Sequence, residues 1–310
     1  MVSQTKLSIV IPTYNRAPLV RRAIESCLKG APETMEVIVV DDASTDTTPA
    51  VLADVTDPRV RVFRLPKNAG VCAARRFGVL QGSGDWIGFL DSDDELVADG
   101  VNRLLALLAE VPGDIGVLYG RCQLDSGMIT PKAATKRGRL SFADYIVRIE
   151  DLADSNSFTC ARRCVFERFN FPQERVYEMR FHLDVVEAFG AYAVPEVLSL
   201  VHSDARERLT DAPTAPRSAK ADAELAAFYA AILERHGAAL STYSPSLWRT
   251  VAQRTLALDL SHGRRRDAMR TLRLATRQGG ASARLVAIFL LGSLGRGPVD
   301  FMRKAGRAWR

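Results

Sequence analysis

Cysteine is scarce in this 310-residue chain: there are five, an odd number, and none forms a CxxC pair. That fits reduced cytosolic thiols better than a disulfide framework. Long apolar runs are missing too. The run Leu285 to Leu291 falls far short of the roughly 20 residues a bilayer span needs. Only Lys6 precedes the first apolar stretch, so no secretory leader is expected. There is no Asn-x-Ser/Thr sequon, no internal repeat and no low-complexity tract. The four histidines, His182, His202, His236 and His262, have no metal-like spacing with cysteine and read as ordinary hydrogen-bonded side chains. No GxGxxG follows the first apolar stretch, which removes a dinucleotide-dependent oxidoreductase. What is present, 47% hydrophobic and 25% charged residues, describes a folded protein of one large or two small domains.

The net charge of +6 is unevenly placed. Residues 264–310 hold 12 Lys and Arg against two Asp, which leaves 30 basic and 34 acidic residues in 1–263. The basic character therefore belongs to the C-terminal stretch. A nucleic-acid protein spreads positive charge over its working face, so no nucleic-acid partner is expected. Arg266, Arg270, Arg273 and Arg277, spaced 4, 3 and 4, line one helix face. Together with the apolar run 285–291 and the basic end Arg303 to Arg310, they suit contact with an anionic membrane surface. A solvated helix face and a polyanionic partner are the alternatives.

Over the first 120 residues apolar strands alternate with helical patterns. Leu7–Ile11, Glu36–Val40, Val60–Phe63, Trp86–Leu90 and Ile115–Tyr119 read as strands. A helix starting near Pro18, another over Val71–Leu80 and a third over Val101–Leu108 lie between them. This is the signature of an α/β fold with a mostly parallel sheet covered on both faces. Beyond residue 120 the pattern weakens. Residues 121–140 read as a polar excursion, and Phe158–Phe169 and Met179–Phe189 as helices or mixed elements. Residues 203–220 read as a linker, and 218–278 as helical.

In such a sheet ligands bind beyond the carboxyl ends of the strands. Three polar clusters fall there: Pro12-Thr13-Tyr14-Asn15, Asp41-Asp42 and Asp91-Ser92-Asp93-Asp94. If the backbone is extended, Asp91 and Asp93 point the same way, and two adjacent carboxylates call for a cation between them. A hard divalent ion carrying a diphosphate fits; an acidic turn in which Asp94 or Asp99 caps the next helix is the plainer reading. Asp42 suits a hydrogen bond from a nucleobase or ribose, or an Asx turn. Tyr14 suits packing on a base, or the core or surface. Arg75 and Arg76, one turn into the helix after Asn68-Ala69-Gly70, suit contact with phosphate, or with solvent.

In this order and spacing, Val10-Ile11-Pro12-Thr13-Tyr14-Asn15-Arg16, Val39-Val40-Asp41-Asp42-Ala43-Ser44-Thr45-Asp46, Asn68-Ala69-Gly70 with Ala74-Arg75, and Phe89-Leu90-Asp91-Ser92-Asp93-Asp94 resemble the family 2 glycosyltransferases. These are inverting enzymes of the GT-A fold that use nucleotide-diphospho-sugars. The resemblance covers roughly residues 5–202. It implies a catalytic domain over 1–202, with a nucleotide-binding half (1–120) and an acceptor half (121–202), then the linker and a helical, basic region over 221–310. It implies that Pro12 and Tyr14 border the nucleobase, Asp42 hydrogen-bonds the base, Arg75 lies near the nucleotide and Asp91 contacts the ribose side. Asp93 would hold Mg²⁺ or Mn²⁺ on the diphosphate, most simply of a UDP-sugar. Position 76 is often Asn in the family and is Arg here.

The family's second half carries a Glu-Asp pair whose carboxylate is the general base. The matching stretch is Phe171-Pro172-Gln173-Glu174-Arg175-Val176-Tyr177-Glu178-Met179, where Glu178 takes the Glu place and Met179 replaces the Asp. Asp184 is the reserve base. The stretch precedes Pro195-Glu196, and His202 after that strand could face the diphosphate. A sugar-1-phosphate nucleotidyltransferase would want a glycine-rich loop where Pro12-Thr13-Tyr14-Asn15 stands. A non-catalytic nucleotide-sugar-binding protein is the reading that Met179 keeps open. The Gln-x-x-Arg-Trp pattern of processive synthases is absent. The resemblance thus implies non-processive transfer of one sugar to a glycan or lipid-linked acceptor in surface polysaccharide synthesis. The expected setting is cytoplasmic, peripheral on the inner leaflet of the cell membrane.

Overall fold

The computed structural model describes residues 6–131, 136–153, 157–169, 178–204, 219–278 and 283–293. The chain divides into two compact units, residues 1–208 and 209–310.

The first unit opens with β1 (Leu7–Thr13), α1 (Ala17–Leu28), β2 (Met35–Asp41), α2 (Thr48–Ala53), β3 (Val60–Arg64), α3 (Val71–Gln81) and β4 (Trp86–Phe89). All seven residues of β1 are buried, as a strand covered on both faces requires. Alternation along it divides the core. Leu7, Ile9 and Ile11 pack with Val20 and Ile24 of α1 and with Leu104 and Leu108 of α4 (Gly100–Glu110). Val10 faces the other way and joins Ile38, Val40 and Ile87 beneath Ala74 and Val79 of α3. Gly78 permits this close approach, because a Cβ there would lie 2.4 Å from a Val10 methyl. Parallel register aligns Thr13 with Asp41, and Val10 with Phe89. The chain therefore leaves β1, β2 and β4 along one edge of the sheet.

The second half adds β5 (Glu95–Leu96), β6 (Val117–Leu124), β7 (Ile129–Thr130), β8 (Gly138–Leu140), α5 (Phe142–Ala153), β9 (Ser157–Arg162), α6 (Arg163–Arg168), α7 (Met179–Phe189) and β10 (Ala191–Val201). The sheet runs β3-β2-β1-β4-β9-β6-β10-β5, with β7 on β6 and β8 on β10. β9 is antiparallel to both β4 and β6, whereas β6 and β10 are parallel.

The region beyond residue 120 holds more strand than its sequence suggests. β6 runs on to Leu124, and β7 and β8 lie inside the expected polar excursion. Residues 157–162 form a strand and only 163–168 a helix. Phe158, Cys160 and Ala161 are buried between neighbouring strands, where β-branched and aromatic neighbours outweigh local helical spacing.

The second unit is helical: α8 (Ala219–Tyr243), α9 (Pro245–Ser261), α10 (Arg265–Arg277) and α11 (Ala283–Ser293). Leu225, Ile232, Leu233, Leu240, Trp248, Val251 and Leu256 are buried in it. The Trp248 indole donates to Gln278 Oε1 at 2.9 Å, and Gln278 donates to the Leu233 carbonyl at 2.8 Å. His262 meets the buried Asp222 at 2.8 Å. Residues 205–218, most of the expected linker, and 294–310, with its basic end, lie outside the described residues.

Candidate active site

The loops leaving β1 and β2 are fastened to each other. The Asn15 side-chain oxygen accepts the Thr45 N–H at 2.8 Å, and the Asn15 and Arg16 N–H groups donate to Ser44 Oγ and Thr48 Oγ1, both at 2.9 Å. Asn15 and Ala43 hold positive φ angles of 52° and 62° within these turns. Pro12 is buried beneath them, and Tyr14 is exposed at the rim. Asp41 accepts the Ser44 N–H at 2.9 Å and an Arg64 N–H at 2.7 Å. The local turn thus falls to Asp41. Asp42, only 3% exposed, reaches across to the turn before α3, where its two oxygens accept the Ala69 and Gly70 N–H groups at 2.7 and 2.8 Å.

Arg75 follows from that turn. Its guanidinium is mostly buried, lies over the Phe89 ring at 5.7 Å, and donates to Asp91 at 2.5 Å and to Glu178. Residues about 100 apart in sequence meet here, because α3 enters from β3 and the start of α7 arrives from the far half. Burial would raise the Glu178 carboxyl; the charge of Arg75 and then the contact with His182 outweigh it and hold Glu178 at about 2. Burial opposes the charge on Arg75 as well, and Glu178 and Asp91 overcome it and lift its pKa.

The Asp91–Asp94 segment is a turn, not extended chain: the Asp94 N–H returns to the Asp91 carbonyl at 3.0 Å. The extended-backbone premise for pairing Asp91 with Asp93 therefore fails. Asp91 is exposed, Ser92 is buried and Asp93 is half-buried. Asp99 stands before α4 without a side-chain cap bond.

Arg22 of α1, which carries no motif, holds this turn. It donates to the Asp93 carbonyl at 2.6 Å and to Asp204 at 2.7 Å. His202 lies on the same cluster, with Glu95 Oε1 2.8 Å from Nε2 and Asp125 Oδ1 2.9 Å from Nδ1. The sequence expected His202 near a phosphate; its described partners are acids.

The donor set at Asp91 and Asp93 is carboxylate oxygen, which suits Mg²⁺ or Mn²⁺ over softer metals. Among the described residues no group of three or more His, Cys, Asp or Glu side chains could hold a metal ion. An ion here would take most of its shell from phosphate oxygens and water.

Of the eight expected site residues, Arg75, Asp91 and Glu178 are in direct contact, and Asp93 shares the turn of Asp91. Pro12, Tyr14 and Asp42 lie at the ends of β1 and β2 on the same sheet edge. Asp184 is separate: six residues along α7 from Glu178, it is buried and pairs with Arg180 at 3.6 Å. Residues 171–177 of the stretch that leads to Glu178 lie outside the described residues. Arg22 and the Asp42 clamp were missed because both depend on partners distant in sequence.

The comparisons with known proteins agree with this architecture. The profile of glycosyl transferase family 2 matches residues 8–168. The succinoglycan biosynthesis protein ExoO of Rhizobium meliloti is 44% identical over 99 residues, 32% of this chain and 28% of ExoO. A GalNAc(5)-diNAcBac-PP-undecaprenol beta-1,3-glucosyltransferase of Campylobacter jejuni is 30% identical over 151 residues, 46% of this chain and 48% of that protein. The chain thus spans less than half the length of these two relatives. The crystal structure of S. aureus TarS 1-349 with UDP-GlcNAc superposes with a TM-score of 0.63 at 16% identity, covering 97% of this chain and 92% of that one. That likeness is one of fold: a GT-A sheet with a helical region after it. With more than half of its length matched by the profile and its sheet built on the same plan, the chain belongs to glycosyl transferase family 2.

Proposed function

We propose that residues 1–202 form the catalytic domain of a non-processive, inverting glycosyltransferase, working in surface polysaccharide synthesis. It moves one sugar from a nucleotide-diphospho-sugar, a UDP-sugar first among candidates, to a glycan or lipid-linked acceptor. The single observation that carries this is Arg75 joining Asp91 and Glu178 on a family 2 framework. It sets a cation suited to a diphosphate beside a carboxylate suited to proton transfer. The UDP-GlcNAc in TarS and the undecaprenol-linked acceptor in the name of the Campylobacter relative support the two substrate classes.

The chemistry follows from charge. Pro12, Tyr14 and Asp42 border the base, and Asp91 contacts the ribose side. Arg75 turns from its carboxylates to the donor's diphosphate, which carries more negative charge than either acid. Glu178 then loses the partner that lowers its basicity. It takes the acceptor hydroxyl proton as the acceptor oxygen bonds the anomeric carbon from the face opposite the diphosphate. The bond from that carbon to the phosphate oxygen breaks, its electron pair leaves with the nucleoside diphosphate, and the configuration inverts. Asp93 would hold Mg²⁺ or Mn²⁺, which when bound offsets charge on the leaving diphosphate. Asp184 stays the reserve base; it is buried and has no described contact with Arg75 or Asp91, which favours Glu178.

Incubation with a panel of labelled nucleotide-sugars and Mn²⁺ tests the reading. Slow release of free sugar is expected. Binding without release would leave a nucleotide-sugar-binding protein, the reading that Met179 keeps open.

The helical region supplies the second contact of this proposal, an anionic membrane surface. Arg266, Arg270, Arg273 and Arg277 are exposed on α10, opposite the buried Ala268, Thr271 and Ala275. α11 packs against α9 and α10 and leaves Val286 39% and Leu290 60% exposed. Exposed arginines beside an exposed apolar helix complement anionic headgroups and the acyl boundary beneath them. Among the described residues no helix is long and apolar enough to cross a membrane.

A further inference from the structure

Glu178 has two oxygens with different neighbours. Oε1 is taken by Arg75, and Oε2 faces His182 Nε2 at 3.8 Å, one helical turn along α7. The other ring nitrogen, Nδ1, lies 2.8 Å from the Tyr119 hydroxyl on β6. Tyr119 is buried and stacks on Tyr145 of α5 with ring centroids 5.7 Å apart. Burial, with Tyr145 beside it, keeps Tyr119 a neutral phenol. A neutral phenol that donates to Nδ1 leaves the imidazole proton on Nε2, aimed at Glu178.

We propose that His182, fixed by Tyr119, is a positioning residue for Glu178: it holds the second carboxylate oxygen once Arg75 has turned to the donor. This rests on the reading of Glu178 as the base. Among the described residues the imidazole faces Tyr119 of β6, with Tyr145 of α5 behind it, the Phe181 ring, and Glu178, whose Oε1 also lies 3.8 Å from the Cys72 thiol of α3. Arg75 of α3 reaches it only across Glu178, and Arg180 and Asp184 pair with each other. A histidine that merely filled the aromatic cluster with Phe181 and Tyr119 would be replaceable by an apolar side chain of similar size.

The experiment reads Glu178 directly, with or without a known donor. The full chain is labelled with carboxyl-¹³C glutamate, the Glu178 resonance is assigned by its loss in Glu178→Gln, and it is titrated by NMR. His182→Leu and the one-atom change Tyr119→Phe should both move its titration upward, by half a pH unit or more. His182→Gln, which keeps an N–H near the Nε2 position, should stay closer to the parent. An unchanged titration in both Tyr119→Phe and His182→Leu overturns the proposal.

Turnover on the donor found in the panel gives the second readout. His182→Leu should lower kcat tenfold or more, leave the donor KM in place and raise the acidic limb of the pH profile. The double variant with Glu178→Gln should be no slower than Glu178→Gln alone. Parent-like turnover in Glu178→Gln would sink the base assignment, while the titration still decides whether His182 governs Glu178.

Discussion

Asp42 and Glu178 are acids on the same rim of the sheet, held in opposite ways. Asp42 is clamped by two backbone N–H groups of the turn before α3, partners that cannot leave without unfolding that turn. Glu178 is held by side chains, Arg75 on one oxygen and His182 toward the other. A guanidinium on a flexible stem can exchange one anion for another, and a peptide N–H within a turn cannot. On the proposed reading, the difference separates an acid that shapes the loops from one that is available for chemistry.

The strongest way to break this comparison is at the turn between them. Asp93→Ala should reduce turnover to background and abolish metal-dependent nucleotide binding, measured by calorimetry with and without Mn²⁺. Retained activity would remove Asp93 from the metal role. Glu178→Gln should lower kcat by about 10²–10⁴-fold and spare nucleotide affinity. If Asp184→Asn has that effect instead, the base lies elsewhere on α7. Arg75→Ala should reduce kcat/KM by about 10²–10³-fold, as for loss of one preorganised charge-stabilising donor, and weaken nucleoside diphosphate binding.

Stability distinguishes the two acids further. Glu178 titrates at about 2 when folded against about 4.3 in an unfolded chain. Its contribution is therefore complete above about 4.3 and is lost as the pH falls toward 2. Acid denaturation of Glu178→Gln should be less steep over that window. Asp42→Asn replaces one acceptor oxygen by a donor facing an N–H. A loss of about 1–3 kcal/mol, read as a lower Tm at neutral pH, is the expected result. The smallest effect is expected away from the sheet. Arg266→Glu with Arg273→Glu should reduce sedimentation with anionic vesicles, at about 1 kcal/mol for each basic residue removed from the leaflet. Unchanged sedimentation would dismiss the membrane reading.

These differences also explain what could be read in advance. Buried strands are written as apolar runs, so β1, β2 and β4 and the polar residues at their ends were legible from Leu7 to Asp94. The contacts among those residues were not. Asp42 meets Ala69 and Gly70 only because β3 returns the chain parallel to β2, and Arg22 meets Asp93 only because α1 crosses behind β5. The two-residue β5 and the mixed spacing of Ser157–Arg162 carry too little period to be assigned by pattern. His182 was legible as a histidine with a partner; which partner depended on packing α5 and α7 beside β6.

β9 lies between β4 and β6 in the sheet, although residues 125–156 separate it from the nearer of them in sequence. Its Arg162 guanidinium sits 4.4 Å over the Trp86 ring of β4 and also donates to the Ile115 carbonyl just before β6, at 2.8 Å. Until that strand emerges from the ribosome, β4 and β6 each present an open edge able to pair with another chain. The nascent molecule therefore has a vulnerable interval that closes only when this late keystone seats itself, and a fragment cut before residue 157 should aggregate even with every nucleotide-side motif intact.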